Sequence, residues 1–555
     1  MGAEINTKWF SVQENNECKN QREKISYFQV QNSAGGFSYR VDDITLLKRL
    51  LILGTESSTY YYNEKELRRE GATCIDRLII NGRGHEVVEH IKDISVNGRA
   101  CKQDTTIYAL ALCARSNDPE TKTLAYKILS EVCRIPTHLF LFITNCENES
   151  AGTGWGRAHR RAISSWYNGF ADDPLKLAYL VTKYRSRNNW SHKDVLRLAH
   201  VTHHNQAIGL ILRYITKGIQ EVKNTSAIEN MVDTKIPEVI RFLNAVEDAK
   251  SCKNETILAR LIETFQLVRE HVPTELLKSS VIWETLLHQM PMTAMIRNLG
   301  KVSSLKLAEK GSENESKILS KLNNKNQLHR SRVHPFKILV GLGQYKKGHG
   351  EKGKLKWSVN QSIVKGLENA FHLAFVNVEP TGKRFLVAVD VSGSMNTAVF
   401  GNPSVTARDA AAAMMMLTVR VETNVEVVAF SDGLTVLDIG KEDTLTSVIK
   451  TCAYMDFSRT DCSLPILHAI EKKKNIDVFI IYTDSETYFG SIHPSEALKM
   501  YRKMSGIHDA RLIVVAMATN GFSIADPDDP FMLDVIGFDT DAPAAMEHFI
   551  NGKTL

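Results

Sequence analysis

The residues best suited to chemistry are the alternating oxygen donors of the motif Asp390-Val-Ser392-Gly-Ser394. They follow the run Arg384-Phe-Leu-Val-Ala-Val389, whose apolar, β-branched composition is typical of a strand buried on both faces. The motif therefore falls at the carboxyl end of a strand, where open α/β sheets bind their ligands. One carboxylate and two hydroxyls are groups that a hard cation prefers. Alone this signal is weak, because Asp, Ser and Gly are also ordinary turn residues.

Two later stretches strengthen this interpretation. Thr460 and Asp461 precede a predicted helix that begins at Leu464, and the apolar run Asp477–Thr483 ends in Asp484. We expect these strand ends to meet at one edge of the sheet and to form an all-oxygen site for Mg²⁺ or Mn²⁺ from Asp390, Ser392, Ser394, Thr460 and Asp484. With few carboxylate ligands the ion keeps positive charge, so it can accept an acidic group from a protein partner.

The elements around these residues alternate between strands and helices. The apolar runs predict strands at Arg384–Val389, Val425–Phe430, Thr435–Ile439, Asp477–Thr483 and Arg511–Ala518. Predicted helices separate them at Val405–Glu422, Thr444–Cys452, Leu464–Lys473, Pro494–Met504 and Pro543–Asn551. This alternation predicts a doubly wound α/β domain with a mostly parallel sheet over residues 384–555.

The preceding part of the chain has a different pattern. We expect residues 1–40 to be an irregular arm, because they are polar and weakly patterned. From residue 41 to residue 375, apolar residues recur at helical spacing between short Gly, Asn or Pro breaks. Asp42 and Gly54, for example, are residues suited to begin and end a helix. This rhythm predicts an all-α array of paired helices, as in a solenoid.

The two parts of the chain carry opposite charge. The formal net charge is +6, but residues 381–555 contain 15 Lys and Arg against 23 Asp and Glu, a balance of −8 that leaves +14 on residues 1–380. A basic helical part beside an acidic α/β part favours a polyanionic partner for the helical part alone.

Cations in the helical part cluster among aromatic residues. Arg157, Arg160 and Arg161 lie on neighbouring faces of one predicted helix. Farther along the chain, Tyr184 and Trp190 are interleaved with Lys183, Arg187, His192, Lys193 and His200, and Arg297 belongs to another basic turn. Cations that contact phosphates and rings that stack on bases are what single-stranded RNA requires. Trp155, Trp166 and Trp190 have a second interpretation as packed core residues, which their large area favours.

Composition excludes several classes of protein. The hydrophobic and charged fractions, 43% and 24%, are those of a soluble globular chain, and no apolar run reaches the roughly 20 residues that cross a bilayer. The amino terminus is too polar for a secretory signal. The nine cysteines are odd in number and form no Cys-x-x-Cys pair, which favours reduced thiols in an intracellular protein. We therefore expect a cytoplasmic protein, with the nucleus as a further location.

The three loops that carry the predicted metal ligands resemble the metal-ion-dependent adhesion site of von Willebrand factor A domains. The chain as a whole resembles the TROVE-domain family of the 60 kDa Ro ribonucleoprotein autoantigen. The similar stretches are Cys133-Arg-Ile-Pro-Thr-His-Leu-Phe140, Trp190-Ser-His-Lys-Asp194, Arg297-Asn-Leu-Gly-Lys301, Gly353-Lys-Leu-Lys-Trp357, Glu379-Pro-Thr-Gly-Lys-Arg-Phe385 and Asn520-Gly-Phe-Ser-Ile-Ala-Asp-Pro-Asp-Asp529.

The resemblance implies a closed ring of HEAT-like helical repeats followed by a von Willebrand factor A domain. It also implies a role in RNA quality control, with Y RNA on the outer basic surface. Misfolded small RNAs, such as ribosomal RNA precursors, would insert single-stranded 3′ ends into a central hole. By the family's motifs, Lys183 and Arg187 fall on the outer surface and His200 near the hole, and Arg134 opens the stretch treated as the RNA-binding region.

The chain departs from the adhesion-site pattern in one loop. Phe457, Ser458 and Arg459 stand where small glycines usually precede the metal-binding threonine. We expect Arg459 either to repel the cation or to pair with Asp461.

Three functions compete on this basis. The +14 charge favours an RNA-binding scaffold without enzymatic activity. The alternative is a metal-dependent adhesion or assembly protein that binds acidic protein partners through residues 384–555. A metal-dependent phosphatase or nuclease that uses Asp390 and Asp484 is disfavoured, because neither His468 nor His493 accompanies a nucleophile signature.

Overall fold

The computed structural model describes residues 19–54, 72–150, 152–203, 205–228, 234–350, 354–375, 379–397, 405–453 and 458–552. As the sequence predicts, a helical part is followed by an α/β part that begins with a strand at Arg384. Within the described part of the chain, no helix is both long enough and apolar enough to cross a membrane.

The helical part contains twenty α-helices among the described residues. They are α1 (Asp43–Leu53), α2 (Thr73–Ile80), α3 (Gly84–Val96), α4 (Gln103–Arg115), α5 (Pro119–Lys127), α6 (Leu129–Val132), α7 (Pro136–Asn148), α8 (Arg157–Asn168), α9 (Pro174–Lys183), α10 (His192–Ala199), α11 (Gln206–Lys217), α12 (Ile219–Ile228), α13 (Ile236–Ser251), α14 (Glu255–Phe265), α15 (Ser280–Gln289), α16 (Met292–Ser304), α17 (Glu313–Leu322), α18 (Lys325–Arg330), α19 (Pro335–Lys346) and α20 (Gln361–Leu373).

Side-chain caps explain where many of these helices begin. Asp42 accepts a hydrogen bond from the Thr45 backbone N–H at 2.6 Å, as expected for the residue before α1. Before α10, the Ser191 hydroxyl accepts from the Asp194 N–H at 3.3 Å, and the Asp194 carboxylate accepts from the Ser191 N–H at 3.1 Å. Each such cap contributes about 1 kcal/mol to helix stability.

The helical array closes on itself. His334, which precedes α19, donates from Nε2 to the carbonyl oxygen of Arg99 at 3.1 Å and lies 3.8 Å from Cys101 Sγ. Arg99 follows α3, so elements that are far apart in the sequence meet at this junction. Ring closure, which the sequence rhythm left open, is therefore a property of the tertiary structure.

Two short hairpins interrupt the helices. Strands β1 (Gln29–Gln31) and β2 (Phe37–Arg40) precede α1, and β3 (Ser186–Arg187) and β4 (Trp190–Ser191) lie between α9 and α10. Residues 29–40 are thus a hairpin rather than the expected irregular arm. They are held by pairing of β2 with β10 (Phe522–Ser523), a partner about 480 residues away that no local pattern reveals.

The α/β domain is built on a six-stranded sheet. Its strands are β5 (Arg384–Asp390), β6 (Asn424–Phe430), β7 (Leu434–Leu437), β8 (Val478–Thr483), β9 (Arg511–Ala516) and β11 (Met532–Ile536). Their order is β11-β9-β8-β5-β6-β7, and every neighbouring pair is parallel except β6 and β7. The chain leaves β5 in one direction and returns to β8 beside it, so the topological switch point lies between β5 and β8.

Helices α21 (Ala407–Val421), α22 (Leu445–Ala453), α23 (Leu464–Glu471), α24 (Pro494–Ser505) and α25 (Ala542–Ile550) complete the α/β domain. Alternate residues of β5 belong to two separate apolar clusters, with Val387 and Val389 in one and Leu386 and Ala388 in the other. A strand buried on both faces explains why its sequence is continuously apolar.

Buried ion pairs join the two parts of the molecule. Arg49 on α1 is fully buried, and its Nη2 lies 2.6 and 2.7 Å from the two carboxylate oxygens of Asp534 on β11. Arg99 binds Asp539 at 2.6 Å beside the junction where the helical array closes. The α/β domain is therefore attached to the helices that meet at this junction.

Candidate functional site: a metal-site rim and two basic surfaces

The predicted metal ligands converge at the carboxyl ends of β5 and β8. Asp390 ends β5 and Asp484 follows β8, on the two sides of the switch point. The Ser392 and Ser394 hydroxyl oxygens lie 3.3 Å apart in the turn after β5. Asp390 Oδ1 accepts from the Ser392 N–H at 2.9 Å, and its Oδ2 accepts from the Thr483 hydroxyl at 2.6 Å.

The electrostatics of this rim suit a cation. Asp390 and Asp484 are buried, and neither is paired with Lys, Arg or His among the described residues. Burial, followed by the negative charge of Asp484, raises the pKa of Asp390 to about 7. Burial also raises the pKa of Asp484. Two neighbouring buried carboxylates without a compensating cation are what a bound divalent ion would neutralise.

The side chains at this rim offer oxygen ligands, mostly hydroxyls, which suit a hard metal ion. They do not form a site rich in carboxylates or thiolates. Over the residues that the structure describes, no group of three or more His, Cys, Asp or Glu side chains is arranged to hold a metal. The ligands here would be hydroxyls together with Asp390 and Asp484, which is a set for Mg²⁺ or Mn²⁺. Thr460, the fifth predicted ligand, is buried in the loop before α23.

Asp461 and Arg459 do not pair with each other. Asp461 is buried, and its Oδ1 accepts hydrogen bonds from the Gln21 side-chain amide at 2.8 Å and from the Ser463 hydroxyl at 2.6 Å. Arg459 is exposed, and its guanidinium carbon lies 4.7 Å from the centre of the Phe489 ring. The predicted pairing is therefore wrong, because Gln21 from the amino-terminal segment already holds Asp461.

The two histidines considered for catalysis have structural partners. His493 is buried, with Nε2 2.8 Å from the Glu23 carbonyl oxygen. His468 Nε2 lies 3.0 Å from Glu426. Neither ring is placed as a free general base beside Asp390 or Asp484.

The first basic surface lies on α8 and the elements packed against it. Arg157, Arg160 and Arg161 are all exposed on the first two turns of α8, which has no acidic residue in its first turn. Arg157, the first residue of this helix, opposes the helix dipole at a cost of about 0.3–1 kcal/mol. An anionic partner would offset that cost, because phosphates bind favourably at helix amino termini.

The β3–β4 hairpin continues this surface. The Trp155 ring lies 5.8 Å from the Trp190 ring, which brings the start of α8 beside the hairpin. Arg187 and Lys193 are exposed, whereas Lys183 is half-buried with its ammonium 5.3 Å from the centre of the Tyr179 ring. The hairpin thus gathers cations and rings from separate parts of the sequence.

The structure distinguishes core residues from exposed residues in this region. His192 is buried, with Nδ1 2.8 Å from the Tyr167 hydroxyl and Nε2 3.0 Å from the Tyr184 carbonyl oxygen. Its prediction as an RNA contact does not fit, because both ring nitrogens already have protein partners. Trp166 is likewise a core residue, as its second interpretation proposed. His200 is exposed at the end of α10, in the left-handed conformation with φ of 49°.

The second basic surface is a cavity of about 710 Å³ at the junction where the helical array closes. Among the described residues that line it there is no Asp or Glu, and its cations are Lys102, Arg269, Arg297, Lys301 and Lys337. Trp283 is buried, with Lys301 Nζ 5.9 Å from its ring centre, and Trp357 is half-buried at the cavity wall. A Cβ on Gly300 would lie 2.8 Å from the Trp357 ring, so the glycine permits that ring to pack against α16.

The cavity cations repel one another. Burial, and then Arg297, lowers the pKa of Lys337. Arg134 is half-buried nearby, and burial followed by the charge of Arg332 lowers its pKa. Burial is the main cause of both shifts and a neighbouring arginine the second, so a bound polyanion would favour the charged forms of these groups.

Sequence reasoning named Arg297 but missed the other cavity cations. Lys337 and Arg269 have no other Lys or Arg within four residues, so no basic cluster marks them in the sequence. The available signal was the basic turn with Arg297 and Lys301, which supplies only one wall.

Comparisons with known proteins agree with this architecture. A model of the TROVE domain matches residues 30–342, and a model of the Ro60 vWA domain matches residues 384–550. The chain is 40% identical to "RNA-binding protein RO60" of Caenorhabditis elegans, over 96% of this chain and 92% of that protein. It is 33% identical to the protein of the same name from Deinococcus radiodurans, over 96% and 97%. The crystal structure of the Deinococcus radiodurans RO (RSR) protein matches 92% of this chain and 100% of its own, with a TM-score of 0.64 and 31% identity.

Proposed function

We propose, from the premise that this chain belongs to the TROVE-domain family of Ro60 proteins, that it is an RNA-binding scaffold of a small ribonucleoprotein. Two relatives are named as RNA-binding proteins, and both align with this chain over 96% of its length. The helical part supplies the RNA-binding surfaces, and the α/β domain supplies a separate docking site.

The observation that carries the proposal is the cavity whose described lining residues include five cations and no carboxylate. Single-stranded RNA offers one phosphate per nucleotide to such cations, and a base can stack on the half-buried Trp357 ring. The cavity suits a strand end better than a duplex, because the half-buried Trp357 ring requires a base that is not already stacked in a helix. The family resemblance supports misfolded small RNAs with single-stranded 3′ ends as its ligands, and RNA quality control as the role of the protein.

The exposed cations of α8 and the β3–β4 hairpin form the second surface. It binds a structured RNA, which the family resemblance makes a Y RNA, through its backbone phosphates. Arg157, Arg160, Arg161, Arg187 and Lys193 carry this contact, together with Lys183.

The test separates the two surfaces with two RNA probes. Filter binding of the full-length chain measures affinity for a Y RNA stem and for a short single-stranded RNA. Lys183→Ala with Arg187→Ala should lower the affinity for the Y RNA stem alone. Arg297→Gln with Lys337→Gln should lower the affinity for the single-stranded RNA alone. Lys441→Gln, an exposed cation of the α/β domain, is the matched control. Equal losses on both probes, or binding that salt does not weaken, would contradict the proposal.

A second candidate function is metal-dependent docking of an acidic protein partner. It is supported by Asp390 and Asp484, whose buried negative charge lacks a cationic partner in the described part of the chain. Ser392→Ala should abolish Mn²⁺ or Mg²⁺ binding, measured by calorimetry, while RNA affinity stays unchanged. Loss of RNA affinity as well would mean that the two sites are coupled.

We propose no enzymatic activity for this chain. Both histidines considered as bases in the α/β domain are held by structural partners.

The cysteines at eight described positions are all free thiols, which suits a reducing compartment and supports the cytoplasm, with the nucleus as a further location.

A further inference from the structure

Two exposed arginines lie against two consecutive aromatic residues beside the metal-site loops. The guanidinium carbon of Arg22 is 5.6 Å from the centre of the Tyr488 ring, and that of Arg459 is 4.7 Å from the centre of the Phe489 ring. Within the described part of the chain, neither arginine forms an ion pair with a carboxylate. We call Arg22, Arg459, Tyr488 and Phe489 the arginine–aromatic rim.

Backbone hydrogen bonds attach this rim to the loop that contains Thr460. The N–H groups of Tyr488 and Phe489 both donate to the Thr460 carbonyl oxygen, each at 3.1 Å. One residue before Arg459, the Ser458 carbonyl oxygen accepts from the Gly393 N–H at 3.5 Å, inside the turn after β5. The rim is therefore adjacent to the proposed cation.

The amino-terminal segment builds the other half of the rim. Gln21, next to Arg22, donates from its backbone N–H to the Gly490 carbonyl oxygen at 3.0 Å and from its side chain to Asp461 at 2.8 Å. A Cβ on Gly490 would clash with both side chains, so glycine is required for this close approach. Arg22 thus joins the metal-site rim although it lies more than 360 residues from Asp390.

The charge of the rim is opposite to that of its domain. Residues 381–555 carry a net −8, so two unpaired arginines beside the cation site form a local positive area on an acidic surface. Each ring covers one face of a guanidinium group and limits its motion, while the N–H edges stay free for a bidentate carboxylate. Ordering the arginines before binding lowers the entropy cost of holding a ligand.

We propose that the arginine–aromatic rim is the second anchor for an acidic segment of a protein partner. One carboxylate of that segment binds the metal, and neighbouring carboxylates bind Arg459 and Arg22. The inference rests on the metal-docking function proposed above and extends it to side chains that read the sequence around the metal-binding acid. A short protein segment is favoured over RNA because a long polyanion would extend from the rim across the acidic surface of residues 381–555, which carry a net −8, and because the exposed Phe489 side chain adds apolar contact area.

The probe is a fluorescein-labelled peptide of alternating Glu and Leu, titrated with the full-length chain in MnCl₂ and followed by fluorescence anisotropy. Arg459→Gln and Arg22→Gln should each weaken binding about fivefold, as expected for one partly exposed charge contact. Arg459→Lys should have an intermediate effect, because it keeps the charge and loses the flat fork. Lys441→Gln, an exposed cation of the same domain, should leave binding unchanged.

Several outcomes would overturn the proposal. One is an equal loss with Lys441→Gln, which would mean that only net charge matters. Another is that the arginine variants weaken the binding of a short RNA but not the binding of the peptide. If wild-type chain binds no Mn²⁺, the metal-docking function fails by itself. The variants are then compared without metal, where a retained fivefold effect supports the rim and its absence refutes it. Thermal melts identify any variant that fails to fold, and the other arginine then carries the test.

Discussion

Neutralising two cations of the helical cavity should weaken the binding of single-stranded RNA by an amount that depends on salt concentration. Arg297 and Lys337 line the cavity, and the charge of Arg297 lowers the pKa of Lys337. If all five lining cations contact phosphates, the slope of log K against log salt is about −3.5, at about −0.7 per contact. Replacing two of them should reduce the slope to about −2.1. At about 0.15 M salt, each phosphate contact raises the affinity about fourfold relative to 1 M salt. The double variant should therefore bind about 14-fold more weakly than wild type.

The assay is filter binding of a short single-stranded RNA at several salt concentrations, with Arg297→Gln/Lys337→Gln compared with wild type and with Lys441→Gln. The difference between the double variant and wild type should shrink toward zero as salt approaches 1 M. A loss of affinity with an unchanged slope would refute the reasoning, because it would mean that the substitutions damaged packing rather than removed phosphate contacts.

Three further predictions concern stability and the cavity wall. Asp534→Ala should destabilise the chain by about 3–5 kcal/mol in denaturant titrations, because it leaves the buried Arg49 charge unpaired, whereas Arg49→Met with Asp534→Leu should recover most of the loss. Burial lowers the pKa of His192 to about 4, below its ordinary 6.5. Between these two values the unfolded chain binds a proton that the folded chain does not, so the free energy of unfolding should fall as pH drops from 6.5 toward 4. His192→Gln should reduce this pH dependence of the unfolding midpoint. Gly300→Ala should displace Trp357 and cost about 1–3 kcal/mol, with a change in tryptophan fluorescence; an unchanged spectrum and midpoint would contradict the packing.

The core of the α/β domain was predictable because it is encoded locally. The apolar run before Asp390 reads as a doubly buried strand, and β5 extends from Arg384 to Asp390 as predicted except for its last residue. The prediction missed β11, a five-residue edge strand that pairs with β9. Asp534 at its centre interrupts the apolar run of its sequence. Edge strands are often short and carry charged side chains, so their apolar signal in the sequence is weaker.

Residue type predicted the chemistry of the candidate sites better than it predicted exposure. Arg157, Arg160 and Arg161 are exposed as an RNA surface requires, but His192 is buried between Tyr167 and the Tyr184 carbonyl group. A histidine in a basic, aromatic stretch has the same sequence context in either case. Only packing decides whether its ring nitrogens face solvent.

The sequence by itself determined the two-part architecture, the helical and α/β patterns, the opposite charges of the two parts and the oxygen-donor motif at Asp390. These properties depend on periodicity and residue type over short stretches. The tertiary structure alone decided that Gln21 and Arg22 reach the metal-site rim, that Arg49 joins α1 to β11, and that cations near residues 102, 297 and 337 share one cavity. Such contacts link residues hundreds of positions apart, and their energies depend on burial that no local pattern contains.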